Sequence, residues 1–170
     1  MGGQEIDSME KRTQLSIILL NTPGELAKLC EILSIANINI LAMNIQNAKD
    51  AVNELFKIRE KTRRRIALAE SYRGILKDSS DYSIIRVLVD RPEDARERLN
   101  ELGYLLDSEP VLIFTLVNKP GMLGQVATKL GEAGINIEYT YGSVKEDAEE
   151  SIFILHVSDI EKAEQAFEEP

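Results

Sequence analysis

The chain has 170 residues, 44% of them hydrophobic and 29% charged, and its 20 Lys and Arg against 29 Asp and Glu give a formal net charge of −9. This composition is typical of one or two small globular domains and excludes a disordered chain. The apolar runs are too short to span a bilayer, and the polar N-terminus lacks the apolar region of a signal peptide, so we expect a cytoplasmic protein.

The first predicted unit opens with a strand over residues 13–20, which a Pro-Gly turn ends. A helix follows, with Pro23 predicted at its first helical position and Asn37 at its left-handed end. Its apolar residues recur at i, i+3, i+4 and i+7, namely Leu26, Leu29, Cys30 and Leu33, so Cys30 is predicted to be a buried small hydrophobe.

The rest of the first unit alternates strands and a helix. Strands are predicted over 38–46, 82–89 and 103–107, with a helix over 92–102. About thirty extra residues, 47–80, separate the second and third strands and are rich in strong helix formers, which predicts a helical insertion.

The second predicted unit repeats the first. The segment from Asn118 aligns without gaps to the segment from Asn21, and both contain an Asn-x-Pro-Gly turn and an Ile-Asn-Ile strand start. Strands are predicted over 111–117, 135–143 and 151–157, with helices from Pro120 and over 159–167. No fourth strand follows, so we expect the open edge of 111–117 to pair with the other unit or another chain.

These elements predict an α+β fold of two ferredoxin-like βαββαβ units with antiparallel sheets. The first unit is assigned to residues 13–107 with its insertion at 47–80, and the second to 108–170, truncated after its last helix.

The repeated turn has the chemistry of an amino-acid site. A helix that starts after a Pro-Gly turn leaves backbone N–H groups at the positive end of its dipole, where a carboxylate is stabilised. Gly24 and Gly121 allow a close backbone approach, and Asn21 and Asn118 offer the donors and acceptors that a zwitterion needs. The same turn also occurs in proteins that bind nothing, so a purely structural role is the alternative.

The two copies of the turn differ in charge. Thr22 and Glu25 match a capping box, which would satisfy the helix's own N–H groups and place a negative charge beside an incoming carboxylate. Lys119 and Met122 replace them in the second copy, which is therefore predicted to be the stronger anion site. The candidate ligand-binding residues of the turns are Asn21, Thr22, Pro23, Gly24, Glu25 and Leu26, and Asn118, Lys119, Pro120, Gly121, Met122 and Leu123.

The Asn-x-Pro-Gly turn, the Leu-rich helix and the Ile-Asn-Ile strand start, all present twice, resemble the ACT domain family, and small stand-alone tandem ACT proteins in particular. The resemblance implies a regulatory, allosteric module that binds an amino acid at the interface between paired domains and signals to an enzyme or transcription factor. It also implies that Asn39 and Asn136 contact ligand.

Catalysis and metal binding find no support in the sequence. One cysteine and one histidine exclude a Cys-built zinc site and a His-rich metal site, and no P-loop, dinucleotide fingerprint or nucleophile elbow occurs. We therefore expect a protein that is not an enzyme and has no cofactor and no metal. His156 is predicted to be a core or interface histidine.

Two features bear on partners. The apolar runs Ile17 to Leu20 and Val111 to Phe114 do not alternate, which predicts sheets covered on both faces and hence a homo-oligomer, most simply a dimer. The basic segment Lys57 to Arg65 is most simply a solvated helix face, but it could also dock an acidic surface of another subunit or RNA, which leaves open an oligomeric scaffold or nucleic-acid-associated protein as one alternative. A regulatory subunit of an amino-acid biosynthetic enzyme is the other alternative. An acidic chain without aromatic residues inside that segment makes nucleic acid the weaker prediction.

Overall fold

The computed structural model describes residues 6–47, 81–144 and 148–168. The strands within them are β1 (Ile6–Leu20), β2 (Ile40–Asn47), β3 (Tyr82–Val89), β4 (Leu105–Val117), β5 (Ile137–Val144) and β6 (Glu150–Val157), and the helices are α1 (Glu25–Ile35), α2 (Pro92–Glu101), α3 (Met122–Glu132) and α4 (Ile160–Glu168). The predicted α+β class is confirmed. Asn47 ends β2, whereas the rest of the predicted insertion, with its basic segment, lies outside the described residues.

The chain divides into two compact units. The first unit comprises Gln14–Glu109, and the second comprises Met1–Thr13 together with Pro110–Pro170. The strands β1 and β4 each contribute residues to both units, because β1 extends across position 13 and β4 across position 110.

The first unit is a βαββαβ unit with strand order β2-β3-β1-β4. β3 pairs antiparallel with β1 and with β2, so that Ile85 lies opposite Ile17 on one side and Ile45 on the other. Both helices pack on the same face of these strands, since Leu29 and Leu33 of α1 share one buried cluster with α2. The remaining buried members of that cluster are Leu15, Ile17, Leu19, Ile38, Ile85, Val87, Val89, Ala95 and Leu99.

The second unit has the strand order β1-β4-β6-β5, with β6 antiparallel to β4 and β5. Its core contains Leu112, Phe114 and Leu116 of β4 with Val126 and Leu130 of α3. The side chains of Ile6 and Met9 pack against this cluster, and Lys11 forms an ion pair with Glu164 of α4. Residues 6–13 therefore lie beside β4, in the position that a fourth strand takes in a βαββαβ unit.

Two strand predictions were wrong in their bounds. β1 begins at Ile6, not at Thr13, and the strands predicted separately at 103–107 and 111–117 are the single strand β4. The segment before Thr13 is mostly polar, so its intrinsic strand preference is weak; pairing with β4 and burial of its two apolar side chains outweigh that preference.

The face of the first unit's sheet opposite the helices is exposed at one end only, since Gln14 and Leu88 on this face are buried. Ile17 and Leu19 are buried, whereas Ile18 and Leu20 on the opposite face are 43% and 49% exposed. Tyr82 and Ile84 lie across from them on β3. The sequence predicted that this apolar face is covered by another unit or a second chain. The exposed apolar side chains are present, and their burial by a second chain remains a prediction.

Candidate functional site

Each of the two candidate turns ends in a glycine that no other residue would replace without strain. Gly24 and Gly121 are the N-cap residues of α1 and α3 and have φ angles of 95° and 94°. A Cβ on either glycine would meet nothing within 4 Å, so the backbone conformation, and not crowding, requires glycine. The space beside both glycines is open to a ligand.

The helix starts differ from the prediction in the position of the prolines and in the absence of the capping box. The helices begin at Glu25 and Met122, so Pro23 and Pro120 precede the N-cap and are not at the first helical position. Neither α1 nor α3 has a side-chain cap, because the left-handed glycine takes the N-cap position that Thr22 was predicted to fill. The capping box was therefore wrong.

Glu25 pairs with a neighbouring lysine. Its carboxylate lies 2.6 Å from the Nζ of Lys28, one turn along α1, and this hydrogen bond raises the pKa of Lys28. The backbone N–H groups of Glu25 and Met122 donate at 3.4 Å to the carbonyls of Thr22 and Lys119. The helix starts are thus closed only by backbone turns, and α1 carries a carboxylate in its first turn where α3 carries none.

The asparagines that open the turns anchor them to the residues just before β3 and β6. The backbone N–H of Asn21 donates to the carbonyl of Asp81, and that of Asn118 to the carbonyl of Glu149, both at 2.8 Å. The Nδ2 of Asn118 also donates to the carbonyl of Ala148 at 3.0 Å. Among the described residues no group donates to the Asn118 Oδ1, which is therefore available to a ligand's ammonium group.

The other turn residues differ in exposure. Thr22, Pro23, Lys119 and Pro120 are exposed, and Leu26 is 37% exposed. Leu123 is partly buried against the second unit's core, and Met122 belongs to that core with 3% exposure. The side chain of Met122 therefore packs inside the unit and offers no surface to a ligand.

Asn39 and Asn136 lie at the other end of the helices from the turns. Asn39 exchanges two hydrogen bonds with Asp90, its N–H donating to Oδ1 at 2.9 Å and its carbonyl accepting from the Asp90 N–H at 3.1 Å. Asn136 makes the same pair with Ser158, both at 3.0 Å. Because α1 has 11 residues, about 16 Å of helix separates Asn39 from the Gly24 turn.

An open pocket of about 350 Å³ lies beside Asn39 in the first unit. It is lined by Cys30 and Ser34 of α1, by Asn37 after the helix, and by Ile38, Asn39 and Ile40 leading into β2. Cys30 is half-buried, so the prediction that it is a core residue was wrong. The sequence predicted Asn39 as a ligand contact but did not predict the pocket beside it.

Arg91 holds the end of α1 beside this pocket. Its Nη2 donates to the carbonyls of Ala36 and Asn37 at 2.6 and 2.7 Å, and its Nη1 lies 3.0 Å from the carboxylate of Asp94. These bonds satisfy carbonyl groups that a helix C-terminus otherwise leaves without partners. The left-handed conformations predicted at the two helix ends are confirmed, with φ of 55° at Asn37 and 70° at Gly134.

His156 has structural neighbours on the second unit's sheet. Its ring stacks on Tyr139 with centroids 4.8 Å apart, and its Nδ1 lies 2.9 Å from the carboxylate of Glu138. Within residues 6–47, 81–144 and 148–168, no group of three or more His, Cys, Asp or Glu side chains could hold a metal ion. No helix in that part of the chain is long and apolar enough to cross a membrane.

Comparison with known proteins identifies the fold and finds a family match for part of the chain. No curated protein matches the chain. A protein from Bacteroides thetaiotaomicron has a solved structure that matches with a TM-score of 0.69 and 24% identity, over 95% of this chain and 89% of its own. The regulatory subunit of aspartate kinase from Thermus thermophilus, in its ligand-free form, matches with a TM-score of 0.57 and 16% identity, over 97% of this chain and 95% of its own. The regulatory subunit of aspartate kinase from Thermus flavus matches with a TM-score of 0.53 and 14% identity, over 96% of this chain and 99% of its own.

Identities this low establish a shared fold and nothing further. The family comparison is more specific, because residues 110–169, nearly all of the second unit's continuous part, match the ACT domain. The resemblance that the sequence predicted is thereby confirmed over this part of the chain, which matches the ACT domain.

Proposed function

We propose that the chain is a non-catalytic regulatory protein that binds a small amino acid through its ACT-type units. The observation that carries the proposal is the ACT domain match over residues 110–169, which includes the Asn118 to Leu123 turn at the start of α3. The first unit repeats the same turn and the same order of strands and helices.

The Asn118 turn has groups for both ends of an amino acid. The first turn of α3 presents backbone N–H groups without a side-chain cap, at the end of a helix where a carboxylate is stabilised. Lys119 is exposed next to it and adds a positive charge. The Oδ1 of Asn118 can accept from an ammonium group, and the open space at Gly121 admits the ligand to the backbone.

The Asn21 turn is the weaker copy in this proposal. The capping box no longer supports that ranking, since neither helix has a side-chain cap. Charge supports it instead: Glu25 places a carboxylate in the first turn of α1, and Lys28 neutralises only part of its field at the surface. The equivalent residue in α3 is the buried and neutral Met122.

A ligand that contacts both a turn and one of Asn39 and Asn136 would have to lie between two copies of the chain. Within one unit these residues lie at opposite ends of a helix about 16 Å long, more than the length of an amino acid. This distance supports a site between two chains, and the exposed apolar side chains of Ile18 and Leu20 separately support assembly of the chain. We therefore include a homodimer in the proposal.

Isothermal titration with the twenty standard amino acids tests this function. We expect binding by one amino acid or a few related ones. Asn118→Ala should weaken it about tenfold or more, as expected for loss of a hydrogen bond to a charged group, and Asn21→Ala should weaken it less. Lys119→Gln should also weaken binding, because it removes the positive charge beside the turn, and Lys162→Gln is its matched control because it removes the same charge from α4. The absence of any binding would refute the proposal.

A regulatory subunit of an amino-acid biosynthetic enzyme is the second candidate. It is supported by the shared fold over nearly the whole chain with two structures described as regulatory subunits of aspartate kinase. The test is affinity purification of the tagged chain from its own cells, with and without the amino acid identified by titration. Co-purification of a catalytic chain supports this candidate, and recovery of the homo-oligomer alone supports a stand-alone sensor.

A further inference from the structure

We propose that the exposed end of the first unit's sheet face opposite the helices is a two-fold interface with a second copy of the chain, in which Arg86 of each copy pairs with Glu109 of the other. This interface deepens the homodimer of the proposed function, on which it rests, by naming the surface and the charged pair that makes it specific. Every residue of the surface belongs to the first unit, Gln14–Glu109.

A row of polar side chains crosses this face on three neighbouring strands. Arg86 of β3 lies directly opposite Ser16 of β1. On the other side of β1, the Oγ of Ser16 donates to Oε2 of Glu109 on β4 at 3.4 Å. The polar row of Arg86, Ser16 and Glu109 therefore carries a positive charge on one side of β1 and a negative charge on the other.

The two charges of the polar row are half-buried and held in position. Arg86 donates from Nη1 to Oε1 of Gln46 on β2 at 3.1 Å, and the bond from Ser16 restrains Glu109. Water and salt screen a half-buried charge less than an exposed one, so an opposite charge on a partner interacts more strongly here than at the open surface. Side chains that are already restrained also lose less entropy when the partner binds.

Apolar side chains extend the same face beyond the polar row. Ile18 and Leu20 of β1 are about half exposed, and Tyr82 of β3 lies opposite Leu20. The contact of the polar row between β1 and β4 sets the register of this antiparallel pair, in which Leu105 lies beside Leu20. Leu105 is 70% exposed. Contiguous exposed apolar side chains of this kind mark an association surface.

A two-fold axis along β1, midway between two stacked sheets, matches these residues with one another. It places each β1 over its copy and each β3 over β4 of the other chain. Arg86 then lies over Glu109 of the second copy, twice in the dimer, and Tyr82 lies over its Leu105. Stacked sheets pack about 10 Å apart, a gap that an arginine and a glutamate side chain bridge together. Charge and apolar surface are thus complementary under one axis, which supports a second copy as the occupant.

Asp107 is a further charged residue on this face, between Leu105 and Glu109 of β4. Under the same axis it lies over Ile84 of the second copy, which offers it no opposite charge. Its side chain is exposed, and its Oδ1 accepts a hydrogen bond from the Ser108 N–H at 2.8 Å. The specificity of the interface is therefore assigned to Arg86 and Glu109 and not to Asp107.

The test exchanges the two charges between chains. The full chain carrying Arg86→Glu or Glu109→Arg is studied by sedimentation and native mass spectrometry at micromolar concentration. Each variant alone brings like charges together twice in the dimer, so its dimer Kd should rise about a hundredfold or more. An equal mixture of the two variants restores both opposite-charge pairs, so a heterodimer, recognised by its mass, should form with a Kd within about tenfold of the parent's.

Arg98 and Glu101 of α2 provide the matched control. They form an exposed ion pair at 3.3 Å on the helix, on the other side of the sheet. Arg98→Glu and Glu101→Arg make the same charge changes there and should leave the dimer Kd unchanged. The double variant Arg86→Glu, Glu109→Arg should dimerise as the parent does, which keeps the test decisive if a single variant fails to fold.

A monomeric parent chain, or single variants that dimerise as tightly as the parent, would overturn the interface. A double variant that dimerises while the mixture of single variants stays monomeric would also overturn it, because the two charges would then pair within one chain. Titration with amino acids is a separate measurement on the parent chain. Amino-acid binding that persists while the charge exchange fails would overturn this interface alone and leave the binding role of the proposed function standing.

Discussion

Removal of residues 1–12 should destabilise the second unit, although most of that unit lies almost a hundred residues away in sequence. The deletion takes away Ile6 and Met9, which pack against its core, and exposes the edge of β4. Full burial of such side chains stabilises by about 1.5–3 kcal/mol each, and both are only partly buried, so we expect a loss of about 3 kcal/mol. In a unit of this size that loss lowers the Tm by roughly 12–24 °C. We add nothing for the exposed pair of Lys11 and Glu164.

Thermal denaturation measures the loss of stability, and hydrogen exchange on the folded chain locates it. Amides of β4 between residues 110 and 117 should lose protection, whereas those of β3 in the first unit should keep theirs. Deletion of residues 1–5 is the matched control, since it leaves β1 complete. A synthetic peptide of residues 1–13 should restore part of the stability. If the shorter chain unfolds within 2 °C of the full one with unchanged β4 protection, the assignment of residues 6–13 to the second unit is wrong.

Three further predictions concern single side chains. Gly142→Ala should destabilise the second unit by about 2 kcal/mol or more in urea unfolding, because its Cβ would lie 2.6 Å from the Ile152 carbonyl and from the Phe153 ring. Gly124→Ala is the control, because Gly124 lies on a helix with open space beside it, and it should stabilise the unit by up to about 1 kcal/mol. Equal effects of the two substitutions would contradict the geometry. Ile18→Asp should shift the chain from dimer to monomer in light scattering at micromolar concentration, and a monomeric parent chain would refute the predicted dimer. The hydrogen bond to Glu164 raises the pKa of Lys11, so its stabilising contribution is complete below the ordinary lysine pKa and disappears as the pH rises through the raised value. The stability difference between the parent chain and Lys11→Met should accordingly be larger at pH 9 than at pH 12.

The elements with strong patterns agree with the sequence prediction. β3 spans the predicted residues 82–89, α2 differs by one residue at its end, and both left-handed helix ends occur at Asn37 and Gly134. These features depend on local chemistry, namely strand-forming apolar runs, a proline at the start of α2, and residues that tolerate a positive φ. The prediction of Thr22 as the N-cap failed because a different local preference decided this position. Gly24, which follows Pro23, takes the N-cap in a left-handed conformation.

The candidate site was predictable in part. The turns, their glycines and the anchoring asparagines were identified from the repeat, but the burial of Met122 and the distance between the turns and Asn39 depend on how the helix packs. The pocket at Cys30 was missed for the same reason, since a helical stripe predicts which face turns inward and does not tell a fully buried position from one at its margin.

The sequence by itself determined that the chain contains two related βαββαβ units, where their helices and central strands lie, and that both units resemble ACT domains, which the family comparison confirms over residues 110–169. It determined this because periodicity, turn residues and repetition are properties of neighbouring residues. Only the tertiary structure decided that residues 6–13 complete the second unit and that β4 belongs to both units. A strand edge accepts any segment that can supply backbone hydrogen bonds and a few apolar side chains, so its partner follows from the three-dimensional arrangement and not from the local sequence.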